Sequence, residues 1–271
     1  LGLLRQRKGR YDLTTRGAAL LGVPGVVPMI RHHSVMYRDM SDPVALLRGE
    51  TQPELARFWP YVFGAGAAQD PDTARAYSEL MADSQKLVAE DTLRTVDFSK
   101  DEEVLDIGGG TGAFLAALGG KHAEPKLHLF DLPAVAPGAE SRFRAAELDG
   151  RTTITAGSFR DDAIPAAPTM TLVRVLYDHA DETVAGLLKK VHEALPAGGR
   201  LIVSEPMTGA AKPTVAGDIY FAFYTFCMET GRARSQSQIA EMLDAAGFTD
   251  IETPTPKRAF VTSVVTARKR S

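Results

Sequence analysis

Cysteine is nearly missing from the 271-residue chain: Cys227 stands alone, so neither an internal disulfide nor a thiolate metal cluster can form. Such usage suits a reducing cytoplasm. Long apolar runs are missing too. The longest, around residues 18–30, is short and broken by Pro24 and Pro28, too little to span a bilayer. Nor is there an excess of positive charge. With 31 basic and 34 acidic side chains the formal net charge is −3, which argues against nucleic acid as the main partner. No basic-then-apolar leader opens the sequence, and residue 1 is Leu. The abrupt start reads as the inside of a folded unit that has lost its N-terminus.

What is present is ordinary globular composition, 44% hydrophobic and 24% charged, long enough for one large domain or two. The pattern changes near residue 100. Before it the rhythm is helical: Val26, Met29, Ile30, His33, Met36, Tyr37 and Met40 predict one apolar stripe over 26–40. Asp70-Pro71 predicts a capped helix start, with a stripe through Ala74, Tyr77, Leu80, Met81, Leu87 and Val88. The first 21 residues suggest a short strand pair leading into a helix, like the wing of a winged-helix module.

After residue 100, EVLDI (103–107), KLHLFDL (126–132), TTITAGS (152–158), MTLVRVL (170–176) and RLIVSEP (200–206) read as strands alternating with helices. Five strand–helix repeats with apolar central strands predict an α/β fold on a parallel, doubly wound sheet. The tail predicts a helix and a closing β-hairpin.

Chemistry concentrates in VLDIGGGTGAF (104–114). Gly108, Gly109, Gly110 and Gly112 form a bare-backbone turn between the first strand and first helix of the sheet, where such folds take ligands. Two ligand classes compete. Gly108, Gly110 and Ala113 match the dinucleotide pattern G-x-G-x-x-G/A, and Asp131 follows about 20 residues on, where a ribose-binding acid belongs. That reading gives an NAD(P)-dependent oxidoreductase. Asp106 argues the other way: a carboxylate just before the glycines opposes a pyrophosphate and suits a cationic ligand such as S-adenosylmethionine. Its alternative role is a helix-start charge, and that of Asp131 a loop cap before Pro133.

These motifs, with LFDLP, AGSF (156–159), LVRVLYDHADE and PAGGRLIVSEP (195–206), resemble the plant-type and acetylserotonin-type small-molecule O-methyltransferases over essentially the whole chain. Within that family, RHHSVMYRDMSDPVALLRG, FWPYVFG, GDIYFAFYTFCMETGRARS and FVTSVVTARK look most like the carotenoid methyltransferases of purple phototrophic bacteria, which act on hydroxyneurosporene and demethylspheroidene. The resemblance implies a Rossmann-like methyltransferase domain over 99–271. It also implies an N-terminal, mostly helical, truncated winged-helix part over 1–98, serving dimerisation and the acceptor-pocket wall. It implies S-adenosylmethionine as methyl donor, no metal, and a homodimer. The donor set it implies is Asp106, Gly108, Gly110, Gly112, Asp131, Leu132, Ser158, Phe159 and Arg174, with Ser84 reaching from the preceding helix. Phe159 would cover the adenine. Ser158 stands where the family usually has Asp, which predicts weaker adenine recognition, since a hydroxyl still accepts one hydrogen bond.

The largest departure concerns the base. Most relatives read LHDW-x-DE after the fourth strand, and that His takes the proton of the acceptor hydroxyl. Here the segment is Leu176-Tyr177-Asp178-His179-Ala180-Asp181-Glu182, with Tyr177 at the histidine position. A tertiary alcohol is far less acidic than a phenol, so full deprotonation by imidazole before methyl transfer is unfavourable. Alignment and exclusion of water then carry much of the rate. The expectation is that Tyr177 orients the acceptor, with His179 or Asp178 as eventual proton sink. His32 and His33 are expected on a helix flank.

Two aromatic segments, FWPYVF (58–63) and DIYFAFYTFCM (218–228), suit a long apolar acceptor, although core packing explains any single ring. The leading expectation is a cytoplasmic enzyme acting on a hydroxylated acyclic carotenoid, with at most transient membrane contact. The alternatives are a bacteriochlorophyll precursor or a phenolic or polyketide acceptor, the oxidoreductase, and a winged-helix regulator. The basic end Arg268-Lys269-Arg270 is expected to be a solvated tail.

Overall fold

The computed structural model describes residues 1–23, 25–58, 71–135 and 137–271, apart from the side chains of residues 58 and 71–80. It opens on the antiparallel pair β1 (Leu4–Arg7) and β2 (Arg10–Leu13), followed by α1 (Thr15–Gly22), capped by the Thr14 hydroxyl. The strand pair and helix are those read from the sequence. The next segment differs: residues 26–40 form two helices, α2 (Val26–His32) and α3 (Ser34–Asp39), hinged at His33. Met36 is buried, but Ile30 and Tyr37 are exposed, so no single buried stripe runs through the segment. Two short helices follow, α4 (Pro43–Leu47) and α5 (Glu54–Phe58). The expected cap at Asp70, the stripe residues Ala74, Tyr77 and Leu80, and most of FWPYVF lie outside what is described.

The long helix α6 (Pro71–Thr95) leads into the main sheet. Its elements in chain order are β3 (Glu103–Ile107), α7 (Ala113–Lys121), β4 (Lys126–Asp131), α8 (Pro137–Ala145), β5 (Thr152–Ala156), β6 (Thr169–Val173), α9 (Asp181–Ala194), β7 (Arg200–Glu205), α10 (Ala222–Cys227), α11 (Gln236–Ala245), β8 (Thr249–Glu252) and β9 (Ser263–Arg268). The seven strands lie in the order β5-β4-β3-β6-β7-β9-β8. The first five are parallel; β9 is antiparallel to both β7 and β8. One expected repeat is incomplete: β5 connects to β6 through residues 157–168 without a helix. That stretch carries Pro165 and Pro168, which helices avoid.

Successive residues of a strand point to opposite faces, and here both faces are covered. Leu105, Ile107, Leu172 and Val203 pack beneath α9 and α11 through Val184, Leu188 and Leu243. Val104, Leu127, Leu129 and Ile202 pack on the other side against α6 and α7 through Leu93, Phe114 and Leu118. A third cluster, Met36, Leu46, Leu55, Tyr224, Cys227 and Met228, joins the N-terminal helices to α10. Among the described residues no helix is long and apolar enough to cross a membrane.

Candidate active site

Four parallel strands stop at one edge of the sheet, and the turns leaving them enclose a cavity. Its wall is built by Gly108–Thr111 after β3, Asp131 and Leu132 after β4, Gly157–Arg160 after β5, and Arg174, Val175 and Tyr177–His179 after β6. Met81, Ala82 and Gln85 of α6 close one side. Gly108, Gly110, Asp131, Leu132, Ser158, Phe159, Arg174, Tyr177, Asp178 and His179 of the expected set therefore meet around one space. Asp106, Gly112 and Ser84 do not line it.

The position of Asp106 follows from strand register. It pairs with Thr171 on the neighbouring β6, whose hydroxyl donates to Asp106 Oδ1 at 2.6 Å. The carboxyl lies wholly buried beneath the glycine turn, and a Cβ on Gly109 would come within 2.3 Å of its Oδ2. That oxygen has no hydrogen-bond partner among the described residues. Burial pushes the acid up to about 7, the Thr171 bond opposes this, and Asp131 adds to it. Asp106 thus acts on any ligand from below the backbone rather than across the cavity.

Asp131 lines the cavity itself. Gly110 N–H donates to Oδ2 at 2.6 Å and Leu132 N–H to Oδ1 at 2.7 Å, which fixes the carboxylate plane. Burial raises it to about 6 against the pull of these two amides. Gly110 has φ +60°, and a Cβ there would meet no protein atom within 4 Å. The turn so offers a bare peptide surface beside two carboxyl groups. A diphosphate would face the Asp131 carboxylate directly, whereas a ribose diol can donate to it and a cationic group suits both acids.

Ser158 and Phe159 form the far wall. The Ser158 hydroxyl donates to Asp161 Oδ2 at 3.0 Å and accepts from Arg160 N–H at 3.2 Å. The Phe159 ring stands edge-on to His179, centroids 5.3 Å apart. His179 accepts a hydrogen bond at Nδ1 from Arg160 Nη2, 3.3 Å. Burial, then Arg160 and Arg234, hold its pKa down at about 4, so at neutral pH it is an uncharged imidazole on the Phe159 side of the cavity.

Tyr177 lies on the other side. Arg174 enters its position with φ +59°, unusual for a residue with a side chain. Its guanidinium donates to Ser84 Oγ at 2.6 Å, Gln85 Oε1 at 3.5 Å and the Tyr177 hydroxyl at 3.3 Å. Ser84 is therefore engaged by Arg174 rather than turned into the cavity. Burial pushes the Tyr177 phenol well above its usual range, and Asp178, buried beside Glu205, is pushed up likewise. At neutral pH the trio Tyr177, Asp178 and His179 contains no strong base.

Sequence reasoning missed what holds this trio. Glu205 Oε1 accepts the amides of Val175 and Leu176, each at 2.8 Å. Arg234, almost fully buried, donates to the carbonyls of Leu176 and His179, each at 2.9 Å, and to Asp181. Arg232 N–H and Thr230 Oγ1 donate to the carbonyls of Tyr177 and Asp178 at 2.8 and 3.1 Å. The only forewarning was the acid ending the late strand. The histidines assigned to a helix flank also have partners: His32 Nε2 lies 2.9 Å from the Tyr224 hydroxyl and His33 Nε2 2.5 Å from that of Tyr220. Of the second aromatic segment, Phe226 is exposed and Tyr224 and Met228 are buried in the third core cluster.

Comparison with known proteins places this geometry. The sequence profile of the O-methyltransferase domain matches residues 37–249. The demethylspheroidene O-methyltransferase of Cereibacter sphaeroides is 56% identical over 270 residues, covering 99% of this chain and 71% of that protein. Its counterpart in Rhodobacter capsulatus is 54% identical, covering 99% and 67%. Among solved structures, human N-acetylserotonin methyltransferase in complex with SAM superposes with a TM-score of 0.81 at 21% identity, covering 100% of this chain and 80% of that one.

Proposed function

This chain belongs to the O-methyltransferase family, and on that premise we propose that it transfers a methyl group from S-adenosylmethionine to the tertiary hydroxyl of an acyclic carotenoid such as demethylspheroidene. The observation that carries the acceptor class is the 56% identity extending through 99% of the chain. The donor reading rests on the open face of Gly110 beside the fixed carboxylate of Asp131.

In this reading Asp131 accepts the ribose hydroxyls and Phe159 covers the adenine. Ser158, whose own proton goes to Asp161, keeps a lone pair for the adenine amino group. Gly108 and Gly110 let the amino-acid end approach the backbone, and the Asp106 charge favours its ammonium from beneath. Arg174 orders Tyr177 and α6 around the same space. Bound there, the donor supplies a methyl group already activated by positive sulfur. The chain's own residues then align the acceptor oxygen and keep water out, the effects with most to contribute when the alcohol is weakly acidic. Tyr177, held as a phenol, orients the hydroxyl.

We further propose the division of labour between residues 1–98, as acceptor wall and dimer contact, and residues 99–271, as the donor domain. Exposed Ile30, Tyr37, Val44 and Leu47 on α2, α3 and α4 favour a homodimer, to be checked by analytical ultracentrifugation. A cytoplasmic protein that touches the bilayer transiently to collect its acceptor fits the apolar substrate; flotation with lipid vesicles tests it. The decisive experiment for the function is incubation with methyl-labelled donor and a panel of hydroxylated carotenoids, phenols and a bacteriochlorophyll precursor. A carotenoid methyl ether identified by mass is expected. Methylation confined to the other acceptors would overturn the assignment.

A further inference from the structure

Methylating a hydroxyl releases a proton, and the turn after β6 offers no ready acceptor for it. Tyr177 and Asp178 hold their protons, and His179 is turned toward Arg160 and Phe159. Past Tyr177, outside the residues that line the cavity, the N-terminal helices meet the segment before α10 and differ in this respect. His33, at the hinge between α2 and α3, places Nε2 2.5 Å from the Tyr220 hydroxyl, 187 residues away in sequence. The two rings are 5.2 Å apart, Tyr220 contacts Phe221 at 4.7 Å, and Phe221 meets the Tyr177 ring edge-on at 6.1 Å. The Arg174 charge acts on the Tyr220 phenol as it does on that of Tyr177.

Protonation states favour transfer in one direction. With its ring proton on Nδ1, His33 presents Nε2 as the acceptor facing the Tyr220 hydroxyl. Burial keeps the resting imidazole neutral, and burial raises the Tyr220 phenol to about 12, so its proton stays in place until the oxygen receives another.

We propose that the Tyr220–His33 pair is the proton path for the methyl transfer, with Tyr220 receiving the acceptor's proton and His33 storing the charge. The inference rests on the methyltransferase reading above. As the bond from the acceptor oxygen to the methyl carbon forms and the carbon–sulfur bond breaks, its electron pair stays on sulfur. The hydroxyl proton passes to the Tyr220 oxygen while Tyr220 gives its own to His33 Nε2. The single positive charge moves from sulfur to imidazole. His33 is half-buried, and sheds the proton to water after the product leaves.

The test is steady-state turnover of His33→Ala, His33→Gln and Tyr220→Phe with a 1-hydroxy acyclic carotenoid, alongside calorimetric binding of S-adenosylhomocysteine. Each variant is expected to lose about 100-fold in kcat, the usual worth of a positioned acid–base group, with product-nucleoside binding unchanged. Added imidazole is expected to restore turnover to His33→Ala and not to Tyr220→Phe. His33→Gln keeps a hydrogen bond to Tyr220 without a transferable-proton site, so its loss separates chemistry from packing. Wild-type kcat in either His33 variant overturns the inference, as does a loss in His33→Ala that imidazole leaves untouched. A wild-type protein that binds S-adenosylhomocysteine yet methylates none of the hydroxyl acceptors would instead sink the methyltransfer reading, and this inference with it.

Discussion

The buried guanidinium of Arg234 donates to the backbone carbonyl of Leu176 at 2.9 Å. On the opposite side Glu205 receives the amides of Val175 and Leu176, so the turn carrying Tyr177, Asp178 and His179 is gripped at both its acceptors and its donors. Replacing Arg234 by Met strands the buried carbonyl of His179, leaves that of Leu176 with the His179 amide alone, and leaves Asp181 to Arg232. An orphaned buried group costs about 1–3 kcal/mol, so a loss of about 2 kcal/mol is expected, with kcat falling as Tyr177 loosens. Chemical denaturation and turnover of Arg234→Met check this; unaltered stability would contradict it.

Stability should decline as pH rises. Asp106 and Glu205 are both held at about 7 by burial, against unfolded values near 4. Between those limits the folded chain binds more protons than the unfolded one, so stability is greatest below about pH 4 on this account and is lost as pH climbs through 7. Asp106→Asn keeps the bond with Thr171 and removes one titration. A flatter melting-temperature profile from pH 5 to 8 is expected; a profile parallel to wild type would be evidence against it.

Tyr177 and His179 should separate in their effects. Tyr177→Phe removes one hydroxyl from the acceptor side and is expected to lower kcat by roughly 2–10-fold, the worth of one hydrogen bond. His179→Ala disturbs the wall behind Phe159, so donor affinity should suffer more than kcat. If both keep wild-type turnover, neither takes part in orienting the acceptor or moving its proton.

Ser158→Ala tests adenine recognition. Loss of one neutral hydrogen bond predicts roughly 2–10-fold weaker S-adenosylhomocysteine binding by calorimetry, with kcat nearly unchanged. Equal affinity would remove Ser158 from the donor site.

The sheet was legible because a parallel strand covered on both faces must be a continuous apolar run, as EVLDI, MTLVRVL and RLIVSEP are. The glycine turn, Asp131 and the Ser158–Phe159 pair were legible because each lies directly after a strand. Asp106 shows where that reading stops: its distance from Gly108 suggested contact with a ligand, but register with Thr171 sets it under the turn. Glu205, Arg234 and the His33–Tyr220 pair depend on neighbours 29 to 187 residues distant. Local spacing carries no trace of them. The single helix expected over 26–40 failed at His33, the residue whose ring is claimed by Tyr220.

Arg174 ties α6 to the β6 turn through Ser84, Gln85 and Tyr177. One guanidinium therefore bridges two elements that chain order keeps some 90 residues apart. A displacement of Tyr177 is thereby coupled to the long helix through a single side chain.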